Sequence, residues 1–168
     1  MVPAKEVGGD FYDYYPIDDD HWAFVIADVS GKGIPAALFM MVTSSLVHHV
    51  AVSSAETDPA KVLRKVNAEI CLRNPEEMFI TVWLGILELS TGKLTAASAG
   101  HEYPVLKKAG ENFELFKDRH GLVIGAMEGA HYSRATYNYV RVVHNQMGNI
   151  SSGNEGGFGG DPINGGNL

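Results

Sequence analysis

Apolar and polar positions alternate, cluster and fade along this chain in a way that divides it into elements. Phe11-Tyr12-Asp13-Tyr14-Tyr15 is an aromatic run that favours a strand, and Asp18-Asp19-Asp20 behind it is turn chemistry. Trp22–Ala27 follows as a short apolar strand, expected to be buried on both faces, so the two runs predict a hairpin. Pro35 fits the first turn of a helix, where its missing N–H does no harm. That helix is predicted from Ala36 to about Val50. It is apolar on nearly all sides (Leu38, Phe39, Met40, Met41, Val42, Leu46, Val47), which predicts a buried central helix. Asp58-Pro59 supplies a cap and a first-turn proline for a second helix, with Val62, Leu63, Val66 and Ile70 at helical spacing.

Past Asn74-Pro75 the pattern returns to strands. Met78–Leu89 and Leu94–Ser98 flank the turn Ser90-Thr91-Gly92-Lys93 and predict a hairpin. Pro104–Lys108 and Phe113–Phe116 predict another, around Ala109-Gly110-Glu111-Asn112. The predicted order is β-β-α-α-β-β-β-β, the signature of a layered α+β architecture. Residues 1–132 read as the folded core. Residues 133–168 are a divergent segment in which Tyr137, Tyr139, Val140, Val142 and Val143 suit one short strand. From Asn145 onward Gly, Asn and Ser dominate, predicting a flexible tail with too little to bury against its backbone entropy.

Charge and composition narrow the functions open to this fold. The 168 residues carry 13 Lys and Arg against 20 Asp and Glu, a net charge of −7. A protein whose affinity comes from nucleic-acid phosphates needs the opposite balance, and so does one docked on anionic lipid. The longest apolar runs, Ala36–Met41 and Val82–Leu87, are far shorter than a membrane span. Cys71 stands alone, so neither an internal disulfide nor a cysteine-based metal site is available, and the N-terminus lacks a secretory pattern. The expectation is a cytoplasmic protein without nucleic-acid or membrane partners.

The candidate chemistry lies in Gly8-Gly9-Asp10-Phe11-Tyr12-Asp13 and Asp28-Val29-Ser30-Gly31-Lys32-Gly33. If the first two strands pair, Asp10 and Asp28 reach the same open end of the hairpin. Two carboxylates there either repel or share a cation, and hard divalent ions take oxygen ligands of this kind. Residue type alone favours a plainer role, turn and helix capping, and the convergence of two acids makes the metal reading competitive with it. Ser30-Gly31-Lys32-Gly33 is not a phosphate loop, since Ala27 and Gly33 stand where that motif needs Gly and Ser or Thr. The acid that would make Gly8-Gly9-Asp10 a cyclase motif is replaced by Phe11. His101 reads as a substrate-side hydrogen-bonding group or, with no carboxylate partner apparent, as a histidine satisfying a neighbouring carbonyl. His48 and His49 point in different directions on a helix, and Cys71 reads as a small packing residue.

Taken in order, the two motifs above, Pro35-Ala36-Ala37-Leu38, Met78-Phe79-Ile80-Thr81 and Ala99-Gly100-His101 resemble the PPM serine/threonine phosphatases of the stage II sporulation protein E type, relatives of protein phosphatase 2C. The similarity covers roughly residues 3–132. It implies a layered α-β-β-α sandwich, two antiparallel sheets flanked by helices, incomplete here at both ends. It implies a site for two Mn²⁺ or Mg²⁺ ions in which Asp10, Asp28 and the main-chain carbonyl of Val29 are ligands, Asp28 bridging the ions, and Asp10 and Asp28 are the catalytic residues. By the same resemblance a metal-bridging water attacks phosphoserine or phosphothreonine in a protein substrate such as an anti-sigma-factor antagonist. The helix pair 35–50 and 59–73 corresponds to a regulatory and dimerisation region, implying a homodimer. The late Asp-Gly metal motif of the family is missing, and Arg141 stands in the strand where an acid is wanted. The alternative is therefore a catalytically impaired phosphatase-fold binding or dimerisation module.

Overall fold

The computed structural model describes residues 8–108, 111–138 and 140–141. The predicted hairpin is present. β1 (Phe11–Pro16) pairs antiparallel with β2 (His21–Val29), Phe11 opposite Ala27 and Pro16 opposite Trp22. Two helices follow, α1 (Ile34–Ser53) and α2 (Pro59–Leu72). The chain then returns as β3 (Ile80–Glu88), which lies along the other edge of β2, and β4 (Lys93–Ala99), which lies along β3. Two short strands complete this sheet beside β4: β7 (His120–Gly121), parallel to it, and β8 (Ala135–Tyr137), antiparallel. A smaller antiparallel sheet takes β5 (Val105–Lys108) between β6 (Phe113–Leu115) and β9 (Val140–Arg141).

The period of two along β2 divides its residues between two cores. Ala23, Val25, Ala27 and Val29 are buried with Val82, Leu84 and Ile86 of β3 beneath the helices, where Val62, Leu63, Val66 and Ile70 of α2 meet them. On the opposite face Trp83, Leu87, Leu94, Ala96 and Tyr137 form a second cluster, and Phe24, Leu106 and Phe116 pack on it. Leu106 belongs to β5, so the small sheet covers this face. The layers are helices, large sheet, small sheet: an α+β sandwich with one helical layer among the described residues, where the resemblance implied two. β2 is thus buried on one face and open at Ile26 and Asp28 on the other, not enclosed on both.

The second helix forms as its sequence predicts. The Asp58 side chain accepts from the Ala60 N–H at 3.0 Å, satisfying one of the donors a helix start leaves free. α1 departs from expectation. It buries Ala36, Ala37, Thr43, Val47, Val50 and Ala51, yet Ile34, Leu38, Met41 and Val42 are 66%, 58%, 60% and 58% exposed. Apolar residues surround this helix, but the sheet covers one side of it only. By length and composition α1 matches a membrane span, and the burial of Val47, Val50 and Ala51 against the sheet accounts for part of that apolarity as core. The large sheet also takes in residues 135–137, past the expected end of the core at residue 132. The predicted tail from Asn145 lies outside the described residues.

Candidate metal centre

Register brings the two candidate acids together. Phe11 faces Ala27, so one step further along the ladder Asp10 stands opposite Asp28. Gly9 suits this close approach: a Cβ there would lie 3.1 Å from the Val29 Cβ and 3.2 Å from the Ala36 Cβ, so a larger residue would need β2 or α1 to give by a few tenths of an ångström. The carboxyl groups of Asp10 and Asp28 are neighbours at this end of the hairpin. The Asp10 carboxyl, as a hydrogen-bonding neighbour, then partial burial and the Asp10 charge raise the Asp28 pKa from 3.8 to about 6. Two neighbouring carboxylates repel, and a cation between them would relieve that repulsion.

Asp28 ends on a loop shaped by glycine. Gly31 and Gly33 take φ of +90° and +79°, a region that favours residues without a Cβ, and Gly33 leads directly into α1. Ser30 fixes this loop to the entry of β3. Its N–H donates to the Phe79 carbonyl at 2.8 Å, and the Phe79 N–H donates to Ser30 Oγ at 2.9 Å. Next along, Thr81 is the register partner of Asp28 and donates from Oγ1 to the Asp28 carbonyl at 3.4 Å. The Val29 side chain is buried in the core, which leaves its main chain as the part able to act at the site.

His101 joins this group from β4. It follows Gly100, whose φ of +69° turns the chain out of the strand. Its ring Nδ1 lies 2.8 Å from Thr81 Oγ1, so its partner is a hydroxyl rather than the carbonyl the sequence suggested. Burial holds its pKa below the ordinary histidine value, and the charges of Glu102 and Asp10 oppose that shift. Sequence reasoning did not single out Ser30, Thr81 or Ser98 as parts of the site. The one available signal was the placing of short hydroxyl residues within or directly beside the quoted motifs, Ser30 and Thr81 inside them and Ser98 just before Ala99.

The donor set of Asp10, Asp28 and main-chain carbonyls is hard oxygen on a solvent-open edge, which suits a divalent cation completed by water. Two carboxylates fill only part of such a shell. Among the described residues no three His, Cys, Asp or Glu side chains converge to hold a metal ion. Arg141 lies in β9 of the small sheet, paired with Lys107, and is not a strand neighbour of Asp28.

Residues 18–140 match the family of stage II sporulation protein E (SpoIIE), and the chain belongs to that family. The match includes Asp28 and Val29, and Asp10 lies ahead of it. The chain is similar to the phosphoserine phosphatase RsbU of Bacillus subtilis, 34% identical over 135 residues, covering 79% of this chain and 39% of RsbU. It is also similar to protein IcfG of Synechocystis sp., 31% identical over 160 residues, covering 78% of this chain and 24% of IcfG. The chain therefore spans well under half of the curated relatives it matches. Among solved structures, the PP2C phosphatase domain of B. subtilis SpoIIE is 21% identical with a TM-score of 0.67, over 80% of this chain and 39% of that one. The SiaA PP2C domain of Pseudomonas aeruginosa is 23% identical with a TM-score of 0.68, over 81% and 53%. RsbX in complex with magnesium is 17% identical with a TM-score of 0.64, over 81% and 63%. At these identities the likeness establishes the fold.

Proposed function

We propose that this chain is a metal-dependent phosphoprotein phosphatase domain, acting on phosphoserine or phosphothreonine, with Asp10 and Asp28 holding Mn²⁺ or Mg²⁺. The observation that carries the reading is the β1–β2 register that brings Asp10 and Asp28 together at the open end of the large sheet, in a chain of the SpoIIE family. The Val29 carbonyl is the natural further ligand. A divalent cation there supplies positive charge for the transferring phosphoryl group and acidifies water. The residues supply the rest. Ser30 and Thr81 hold the loop and strand end that carry Asp28, and the glycines keep the edge open to a phosphorylated side chain. An anti-sigma-factor antagonist is the substrate class that the family suggests, and the cytoplasm is the matching compartment. The test is Mn²⁺-dependent hydrolysis of p-nitrophenyl phosphate and of a phosphoserine protein. Activity in the intact chain, abolished by Asp28→Asn, supports the reading. Equal inactivity of both chains removes it.

A second reading has its own observation. With no third acid converging among the described residues, one loosely held ion is the natural occupancy, and the chain then serves as a binding or dimerisation module without turnover. The exposed positions Ile34, Leu38, Met41 and Val42 support the dimer: they lie at i, i+4, i+7 and i+8, one apolar stripe along α1. Calorimetric titration with Mn²⁺ separates the two readings. Tight binding of two ions favours the enzyme, and weak binding of one favours the module.

A further inference from the structure

His101 is held more firmly than a bystander needs to be. The buried Ser98 grips its main chain twice: the His101 N–H donates to Ser98 Oγ at 3.2 Å, and Ser98 Oγ donates to the His101 carbonyl at 3.1 Å. Gly100 is shaped for this turn, since a Cβ there would come within 2.7 Å of Val123 Cγ1. The ring then meets Thr81 Oγ1 at 2.8 Å, and Thr81 Oγ1 lies 3.4 Å from the Asp28 carbonyl. A hydroxyl has one proton to give. If Thr81 spends it on the Asp28 carbonyl, His101 Nδ1 must be the donor to Thr81, and the ring is the neutral Nδ1–H tautomer. Burial, which disfavours the imidazolium, agrees with a neutral ring.

We propose that His101 is a positioning residue for the Asp10–Asp28 pair, acting through Thr81: its Nδ1–H fixes the Thr81 hydroxyl so that the hydroxyl pins the main chain of Asp28. The relay ties Ala99-Gly100-His101 and Met78-Phe79-Ile80-Thr81 to the aspartate loop with a single chain of hydrogen bonds. Its effect on metal binding rests on the proposed function. The positioning itself does not, because it concerns the Asp28 backbone in the metal-free chain.

The test uses four variants of the full chain: Thr81→Val, His101→Ala, His101→Asn and His101→Gln. The Asn amide places an N–H near the position of Nδ1, whereas Gln places one near Nε2. Without metal, nitrogen NMR of the ring should show the Nδ1–H tautomer. The Asp28 carbonyl carbon resonance should shift in Thr81→Val, His101→Ala and His101→Gln and return toward wild type in His101→Asn. With Mn²⁺, calorimetry should show about tenfold or greater loss of affinity in the first three and recovery in His101→Asn, the scale on which outer-shell partners tune a metal site. Thermal melts identify any variant that is unfolded, and His101→Asn against His101→Gln then decides between two folded chains. An Nε2–H tautomer, an Asp28 resonance indifferent to His101, or rescue by Gln instead of Asn overturns the proposal. A wild-type chain that binds no Mn²⁺ overturns the proposed function, and the metal-free spectra still decide the relay.

Discussion

Asp10 and Asp28 face each other across the open end of the first hairpin, and the neighbouring Asp10 carboxyl, with partial burial, raises the Asp28 pKa to about 6. Unfolding separates them and returns Asp28 to the ordinary value of 3.8. Between these two values the folded chain binds the extra proton, so this pair stabilises the fold on the acid side and loses that contribution as pH rises through about 6. Asp18, Asp20 and Glu88 act in the opposite sense. The Asp20 N–H, the Ser90 hydroxyl and Lys93, respectively, hold them below their ordinary values. The prediction is therefore a difference: urea midpoints measured from pH 4 to pH 8 should fall less, or rise more, with pH in Asp28→Asn than in wild type. Parallel curves for the two chains would refute it.

The same proton competes with a cation. If Mn²⁺ binds at Asp10 and Asp28, its apparent affinity should drop about tenfold for each pH unit below the Asp28 pKa and level off above it, as expected for one displaced proton. Calorimetry in two buffers of different ionisation heat should show about one proton released per ion below that pKa. An affinity flat across the range would place the ion elsewhere.

The helix layer allows a test of the fold itself. Leu63 is fully buried between α2 and the large sheet, and Leu63→Ala should cost about 2–5 kcal/mol by lost burial and the cavity left behind. Asp58→Ala removes the cap on the Ala60 N–H and a long, half-exposed ion pair with Arg134 at 3.9 Å, and should cost about 0.5–2 kcal/mol, mostly from the cap. Chemical denaturation should rank them in that order. A larger effect for the cap would mean that α2 contributes through its start rather than its stripe.

The α1 stripe makes a prediction about association. Leu38 and Met41 are more than half exposed. Replacing each with Asp removes apolar area from solvent contact without touching Val47, Val50 or Ala51, which face the core. If the stripe joins two copies, sedimentation velocity should show the double variant shifted to monomer at concentrations where wild type is dimeric, with an unchanged melting temperature for the monomer. A wild type that stays monomeric at high concentration removes the homodimer.

Periodicity was most informative where one element faced one neighbour. The α2 stripe and its Asp58 cap were legible because a helix with one buried side writes that side into its spacing, and the first hairpin because an aromatic run, an acidic turn and an apolar run follow one another. The α1 helix was misread for the converse reason. An apolar residue is cheap evidence of burial, and nothing local distinguishes Val47, which the sheet covers, from Val42, which it does not. The two-residue strands β7 and β9 are too short for any period to show. At the site, the convergence of Asp10 and Asp28 followed from hairpin register alone. The Thr81–His101 bond did not, because it joins β3 to the end of β4 through a turn that depends on Gly100.

Gly100 also bears the last prediction. Its φ of +69° disfavours any other residue, and an added methyl would press on Val123 Cγ1 at 2.7 Å. Gly129 has a similar φ of +75° but open space around it. Gly129→Ala should therefore cost about 1 kcal/mol, the backbone strain alone. Gly100→Ala should cost more, by about 1–3 kcal/mol, because overpacking adds to that strain. The chain can relieve the clash only by moving Val123 or by shifting the turn that carries His101. In the second case the ring resonances of His101 change along with stability, and in the first they do not. Equal costs for the two alanines would show that the contact with Val123 is soft, and that the turn at Gly100 is set by backbone preference alone.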